Sequence, residues 1–254
     1  MAAIVAPARR GGPLALHDLR VACRRLETAL RLWARGAPAR AARRRAQAMR
    51  RAAGSAREHE VLREMLRARR LGAAVLPPVL RRAWLARLAR GGSMQRAGAL
   101  PSARAVAGLG SKVERVARSL AHADQVELRA LARLRLWRAD GRAELAHALA
   151  SGEAQALHRA RLRLKRWRYA EEERSAAWPA RARAASPIPA LRRWQTALGR
   201  MSDRDLLIEL AARSGPAGLA LVPRLEALRR AALAGLRRRS DAIVSPPPAR
   251  SPRA

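Results

Sequence analysis

Two ten-residue segments of the chain resemble each other, and their recurrence constrains the fold more than any other feature of the sequence. Residues 16–25, LHDLRVACRR, align without gaps on residues 157–166, LHRARLRLKR, at an offset of 141 positions. Arginine matches are frequent by chance in this composition, but the histidine match is informative because the chain has 5 histidines. A second pair follows in the same order: GSAREHEVL at 54–62 and GRMSDRDLL at 199–207. The sequence therefore predicts a duplicated unit.

Both copies lie in segments whose composition is typical of α-helices. Alanine, leucine and arginine dominate and all favour helix, whereas no run alternates as a half-buried strand would. We predict an all-α fold of two pseudo-symmetric, four-helix-type bundles that arose by internal duplication, with a first half at 14–100 and a second half at 101–240. The predicted helices, separated by glycine and proline residues, are 16–35, 38–53, 56–71, 77–90, 103–121, 123–149, 154–174, 188–199, 203–213 and 222–239.

Three segments are predicted to lie outside the helices. Residues 91–111 contain several glycines and are the best candidate for a linker between the two halves. Residues 1–13 and the tail at 241–254, which is rich in proline, are predicted to be disordered.

The charge of the chain predicts a polyanionic partner. Lysine and arginine number 54 against 19 aspartate and glutamate residues, which gives a net charge of +35. A codon preference for arginine would explain why only Lys112 and Lys165 are lysines, but it would not remove acidic residues. A compact fold with this excess repels itself, so we expect an anionic partner to neutralise it.

The sequence predicts a cytoplasmic protein with no membrane partner. Its 1 cysteine, Cys23, excludes an internal disulfide, as is usual in a reducing compartment. Cys23 falls on an apolar helix face, which predicts packing in the core. No segment approaches the roughly 20 apolar residues that cross a bilayer, and the first residues lack the apolar stretch of a signal peptide.

A helical wheel divides each copy into an apolar and a cationic face. The apolar faces contain Leu19, Cys23, Leu26, Leu30 and Trp33 in the first copy and Leu157, Ala160, Leu164 and Trp167 in the second. The opposite faces contain His17, Arg20, Arg24 and Arg31 in the first copy and His158, Arg161, Lys165, Arg168 and Tyr169 in the second. Solvated faces usually alternate in sign to gain ion pairs. Repeated cations with few anions between them therefore predict an anion-binding surface on each helix.

The two histidine segments, together with WQTALGRMSDRDLL at 194–207, resemble the CHAD domain, the conserved histidine α-helical domain, over about residues 16–240. The resemblance implies two helical bundles with a basic cavity between them that binds inorganic polyphosphate, without catalysis or a cofactor. It also implies polyphosphate granules as a location. The site would comprise both cationic faces and Arg25 and Arg166, which match between the copies but lie about 80° off the axis of those faces. Glu27 departs from the pattern, because the second copy has Arg168 at this position.

Non-specific binding to the phosphate backbone of RNA or DNA is the alternative function, since it would follow from the charge alone. Single-strand binders usually stack bases on aromatic side chains. Here aromatic residues make up 3% of the chain and phenylalanine is absent. The composition therefore favours polyphosphate over nucleic acid.

Four carboxylates, Glu58, Glu60, Asp203 and Asp205, could also be interpreted as a two-part metal site. Each pair follows a glycine at a predicted helix start, where acids cap exposed N–H groups and interact favourably with the helix dipole. We favour this structural role. The other histidines, His59, His122 and His147, show no metal-ligand spacing and are predicted to be structural or on the surface.

Overall fold

The computed structural model describes residues 13–53, 62–67, 76–97, 101–121, 125–178 and 186–239. Within these ranges the regular elements are all helices, so the prediction of an all-α fold is confirmed there. The helices are α1 (Pro13–Trp33), α2 (Gly36–Ala52), α3 (Pro78–Ala97), α4 (Ala103–Ala121), α5 (Val126–Ser151), α6 (Ala154–Ala177), α7 (Ile188–Ala212), α8 (Gly215–Leu219) and α9 (Val222–Arg237). Residues 62–67 are also helical. The predicted disordered segments at 1–13 and 241–254 lie outside the described residues, except for Pro13, where α1 begins.

The predicted linker at 91–111 is wrong for most of its length. Helix α3 continues through Gly91 and Gly92 to Ala97, and α4 begins at Ala103. A glycine costs only about 1 kcal/mol relative to alanine inside a helix, which neighbouring helix formers can offset. In α4, moreover, Val106, Leu109 and Val116 are buried in a hydrophobic core. Tertiary packing therefore stabilises a segment whose glycines suggested a loop.

Helix α7 also differs from the prediction, which ended one helix at Gly199 and began another at residue 203. The helix is continuous across this segment, with Met201 fully buried. The hydroxyl of Ser202 donates a hydrogen bond of 3.2 Å to the carbonyl oxygen of Leu198 within the helix. Asp203 and Asp205 lie in the interior of α7, so their predicted role at a helix start is wrong.

The helices pack around three hydrophobic cores. One joins α1, α2 and α4, and a second joins α5, α6, α7 and α9. The third joins residues 62–67, α3, the end of α7 and the start of α9. Packing thus crosses the predicted boundary at residue 100, because α4 contacts α2 while α3 contacts α7 and α9. The duplication and the division into two halves stay predictions.

Helix α1 connects the first core to the second. Leu32 is buried in the second core, and the ring of Trp33 lies 5.1 Å from that of Trp178, between centroids. The guanidinium of Arg133 in α5 donates hydrogen bonds to the carbonyl oxygens of Arg31 and Leu32, at the end of α1. These contacts fix α1 against α5 and α6, and so they determine which faces of α1 and α6 lie side by side.

A fully buried carboxylate, Glu171, holds α5 to α6. It accepts hydrogen bonds from Arg138 Nε at 2.7 Å, Trp167 Nε1 at 2.9 Å and Arg174 Nε at 3.0 Å. Burial alone would raise the pKa of Glu171, but these hydrogen bonds, and the charge of Arg138, lower the pKa below its ordinary value. The carboxylate is therefore charged inside the fold, and both of its oxygens accept hydrogen bonds.

We expect Glu171→Gln to destabilise the protein by about 3 kcal/mol, because it leaves two guanidinium groups without their charged acceptor. Chemical denaturation followed by circular dichroism measures the loss. Glu144→Gln is the matched control, since Glu144 pairs with Arg159 at 3.0 Å in a more exposed setting, and it should cost at most about 1 kcal/mol. Equal losses in the two variants would contradict the role given to Glu171.

Candidate functional site

A groove of about 1440 Å³ lies between α1 and α6, and α2, α7 and residues 62–67 complete its walls. Its basic lining residues are His17, Arg20, Arg24, Arg50, Arg51, His158, Arg161, Lys165, Arg200 and Arg204. Its acidic lining residues are Glu64, Asp203, Asp205 and Glu209. Lysine and arginine thus outnumber carboxylates two to one among these residues.

Seven predicted site residues line this groove. They are His17, Arg20 and Arg24 from α1 and His158, Arg161, Lys165 and Tyr169 from α6. Each helix turns its apolar face away, because Leu19 and Cys23 in α1 and Leu157 and Leu164 in α6 are fully buried in the cores. The structure therefore brings the two predicted cationic faces together.

The centre of the groove holds two basic side chains that have no ion-pair partner in the described part of the chain. Arg24 in α1 and Lys165 in α6 lie within electrostatic reach of each other and form no salt bridge there. Burial lowers the pKa of Lys165, and the positive charges of Arg161, Arg24, Arg168 and Arg20 add to the shift, so that the pKa falls to about 6. Burial and Arg50 lower the pKa of Arg24.

Two arginines of the groove lie against the backbone of neighbouring segments. Arg20 Nη1 donates a hydrogen bond of 3.0 Å to the carbonyl oxygen of Ala53, just beyond the end of α2. The guanidinium of Arg161 lies against Gly199 of α7, 3.5 Å from the position that a Cβ atom would take there. Arg161 Nε is buried and has no hydrogen-bond partner among the residues that the structure describes. Gly199, where the prediction ended a helix, is thus an internal residue of α7 that lies next to Arg161.

Four predicted site residues lie outside the groove lining. Arg25 forms a salt bridge of 2.9 Å with Glu172, and Arg168 stacks its guanidinium over the ring of Tyr169, 4.6 Å from the centroid. Arg166 stacks over Trp137 at 5.5 Å. Arg31 lines a different cavity. Arg25 and Arg166 are the two residues that the helical wheel placed to one side of the cationic faces.

Sequence reasoning missed Arg50 and Arg51 of α2 and Arg200 and Arg204 of α7, which all line the groove. Arg200 and Arg204 lie within the repeated segment at 199–207, where the acidic residues drew attention instead. Arg50 Nε donates a hydrogen bond of 2.7 Å to Glu27, so the acidic residue that departs from the repeat is neutralised by an arginine from α2.

The carboxylates of the groove do not cluster as metal ligands would. Among the residues that the structure describes, no group of three or more His, Cys, Asp or Glu side chains could hold a metal ion. Asp205 forms a salt bridge of 2.5 Å with Arg229 of α9. Glu58, Glu60, His59 and His122 lie outside the described residues.

Two further predictions concern the surroundings of the site. Cys23 is buried, as predicted, and burial together with the charge of Glu27 raises the pKa of its thiol to about 11. His147 is exposed on α5. Within the described ranges, no helix combines the length and apolar character needed to span a membrane.

Comparison with known families matches residues 2–212 of the chain to the model of the CHAD domain. No curated protein and no solved structure matches the chain at a significant level.

We expect Lys165→Met to stabilise the ligand-free protein by on the order of 2 kcal/mol at pH 7, which corresponds to a rise in Tm of about 5 °C. The reason is that the unfolded chain holds the Lys165 proton up to its ordinary pKa of 10.5, whereas the folded protein loses it near pH 6. The free energy of unfolding of the unsubstituted protein therefore rises as the pH rises from 6 to 10.5. The difference in stability between Lys165→Met and the unsubstituted protein should accordingly shrink towards pH 10.

Thermal unfolding at pH 7 and pH 10 measures this effect, and Lys112→Met is the matched control. Lys112 is the other lysine of the chain and lies on α4, away from the groove lining. Its replacement should leave the pH dependence of Tm unchanged. A fall in Tm for Lys165→Met at pH 7 would contradict the electrostatic description of the groove.

Proposed function

Because the chain belongs to the CHAD-domain family, we propose that it binds inorganic polyphosphate in the groove between α1 and α6, without a chemical step. The observation that carries the proposal is the pair of cationic faces on these helices, with Arg24 and Lys165 at their centre and no carboxylate paired to either in the described ranges. Like charges held together in this way destabilise the free protein, and a bound polyanion would offset that cost.

The chemistry of the lining suits a flexible chain of phosphate groups. Arginine guanidinium groups offer two parallel N–H donors, which match the oxygens of a phosphate. His17 and His158 add imidazole donors at the ends of the two cationic faces. A groove with walls on several sides can contact a thin polyphosphate chain from more directions than it can contact a duplex.

Nucleic acid is the alternative ligand, and the aromatic residues argue against it. Among the described residues that line the groove, Tyr169 is the one aromatic side chain, and it is 3% exposed. Arg25 and Arg168 both lie over its ring. A base could not stack on this ring, so the groove offers the contacts of a phosphate site and lacks those of a base-reading surface. A cytoplasmic location, at polyphosphate granules, is part of the same proposal.

Replacing either central basic residue with glutamate should weaken polyphosphate binding at least about tenfold, since the new carboxylate repels the phosphates inside the groove. The variants are Arg24→Glu and Lys165→Glu, each measured against long-chain polyphosphate by isothermal titration calorimetry. The matched control is Arg115→Glu on the exposed face of α4, which changes the net charge as Arg24→Glu does and by at least as much as Lys165→Glu. Long-range attraction alone would make all three variants lose comparable affinity and would refute the assignment of the groove.

Competition separates the two candidate ligands. We expect long-chain polyphosphate to displace tRNA and duplex DNA at about 150 to 300 mM salt, where non-specific phosphate contacts weaken. Equal competition by DNA at the higher salt concentration would favour the nucleic-acid alternative.

Binding should also take up a proton above pH 6. Lys165 loses its proton near pH 6 in the free protein, and a phosphate oxyanion beside it would raise that pKa. The affinity for polyphosphate should therefore fall as the pH rises from 6 to about 8. Calorimetry in two buffers with different ionisation enthalpies counts the protons.

The variant Lys165→Arg is the control for proton uptake, because arginine stays charged over this pH range. His17 and His158 can also take up protons and are retained in the variant. The difference between the two proteins therefore reports Lys165 alone. Identical proton uptake in both would exclude Lys165 as the group that titrates.

A further inference from the structure

A second basic cavity, of about 650 Å³, lies at the junction of α1, α2 and α5 and shares no lining residue with the groove. Five arginines line it: Arg31, Arg35, Arg40, Arg43 and Arg133. None of the described lining residues is acidic. The sequence placed Arg31 with the groove residues, but the side chain lies here, about two helical turns beyond Arg24.

The arginines of this cavity repel one another. Partial burial lowers the pKa of Arg43, and the neighbouring charges of Arg31 and Arg40 lower it further. Burial likewise lowers the pKa of Arg133, together with the charges of Arg35 and Arg43. In the described part of the chain, no carboxylate forms a salt bridge with Arg31, Arg35, Arg40 or Arg43. An anion that enters this cavity therefore reduces the repulsion among the arginines and stabilises the cluster.

Backbone groups at two helix ends shape this cluster of arginines. Arg133 is fixed by its hydrogen bonds to the carbonyl oxygens of Arg31 and Leu32. Helix α2 begins at this cavity, and its N-cap residue, Arg35, makes no side-chain hydrogen bond to the first turn. The first amide groups of α2 add to the positive potential that the arginines create.

One wall of the cavity is apolar, which distinguishes it from the groove. Leu136 is 69% exposed and lies beside Trp137, whose ring is half-buried under the guanidinium of Arg166. An exposed leucine next to a fixed aromatic ring offers a contact surface for a planar apolar group. A volume of about 650 Å³ falls in the range typical of sites for small ligands.

We propose that this cavity is a second anion site, which binds a nucleoside triphosphate with its phosphates among the arginines and its base against Leu136 and Trp137. The arginines supply bidentate contacts to the phosphate oxygens, and the apolar wall supplies the contact that an inorganic phosphate chain could not use. The proposal does not depend on polyphosphate binding in the groove, because the two cavities have different lining residues.

The test uses the full chain carrying Arg24→Glu, which weakens the groove as a competing phosphate site. Calorimetry at about 200 mM salt, where long-range attraction is screened, measures the binding of ATP, tripolyphosphate and adenosine. Adding Arg43→Glu should lower the affinity for ATP at least about tenfold. Adding Arg115→Glu, with the same change in charge, should lower it less than about twofold.

The variant Leu136→Ser tests the base contact. It should lower the affinity for ATP about fivefold and leave that for tripolyphosphate unchanged, because only ATP contacts the apolar wall. The side chains of Arg43 and Leu136 are both partly exposed, so circular dichroism should show that neither substitution changes the fold.

Equal effects of Arg43→Glu and Arg115→Glu would overturn the site. An unchanged affinity for ATP in Leu136→Ser would overturn the nucleoside assignment. Neither result tests polyphosphate binding in the groove, because that binding is tested by the effect of Arg24→Glu on the affinity for polyphosphate.

Discussion

The attachment of α1 to α5 and α6 is the constraint on which the functional surfaces depend. Leu32 is buried in the core of the other helices, and Arg25 of α1 forms a salt bridge of 2.9 Å with Glu172 of α6. Burial of a leucine side chain contributes about 2 kcal/mol, which helps to offset the cost of holding the basic groups of Arg24 and Lys165 together. Two cationic faces therefore lie side by side because apolar and ionic contacts elsewhere along the helices hold them there.

Two carboxylates of α6 stabilise this arrangement without neutralising the centre of the groove. Glu171 is satisfied inside the second core, and Glu172 lies near Arg25, Arg168 and Arg192. These carboxylates neutralise arginines around the groove and leave its centre positive. The net charge predicts only that the protein attracts anions. The positions of these few carboxylates determine where an anion binds most favourably.

The sequence predicted the helices and the two cationic faces because both follow from local periodicity. It could not predict the separation of Arg31 from Arg24, because a helical wheel gives the direction of a side chain and omits its position along the axis. Seven residues correspond to about 10 Å along a helix, enough for Arg31 to reach another cavity. The error at Gly199 has a different cause. Leu198 and Met201 on either side of it are buried in the second core against residues distant in sequence, and this packing keeps α7 continuous.

Glu27 shows how one departure from the repeat shapes both basic cavities. The equivalent residue of the second copy, Arg168, is a cation stacked over Tyr169, whereas Glu27 is buried and accepts a hydrogen bond from Arg50. Its charge favours the protonated forms of Arg24 in the groove and of Arg43 in the second cavity. A basic residue here would have extended the cationic face of α1 without interruption from His17 to Arg31. The carboxylate instead lies between the two clusters and attracts both, so that one helix can supply arginines to two separate anion sites.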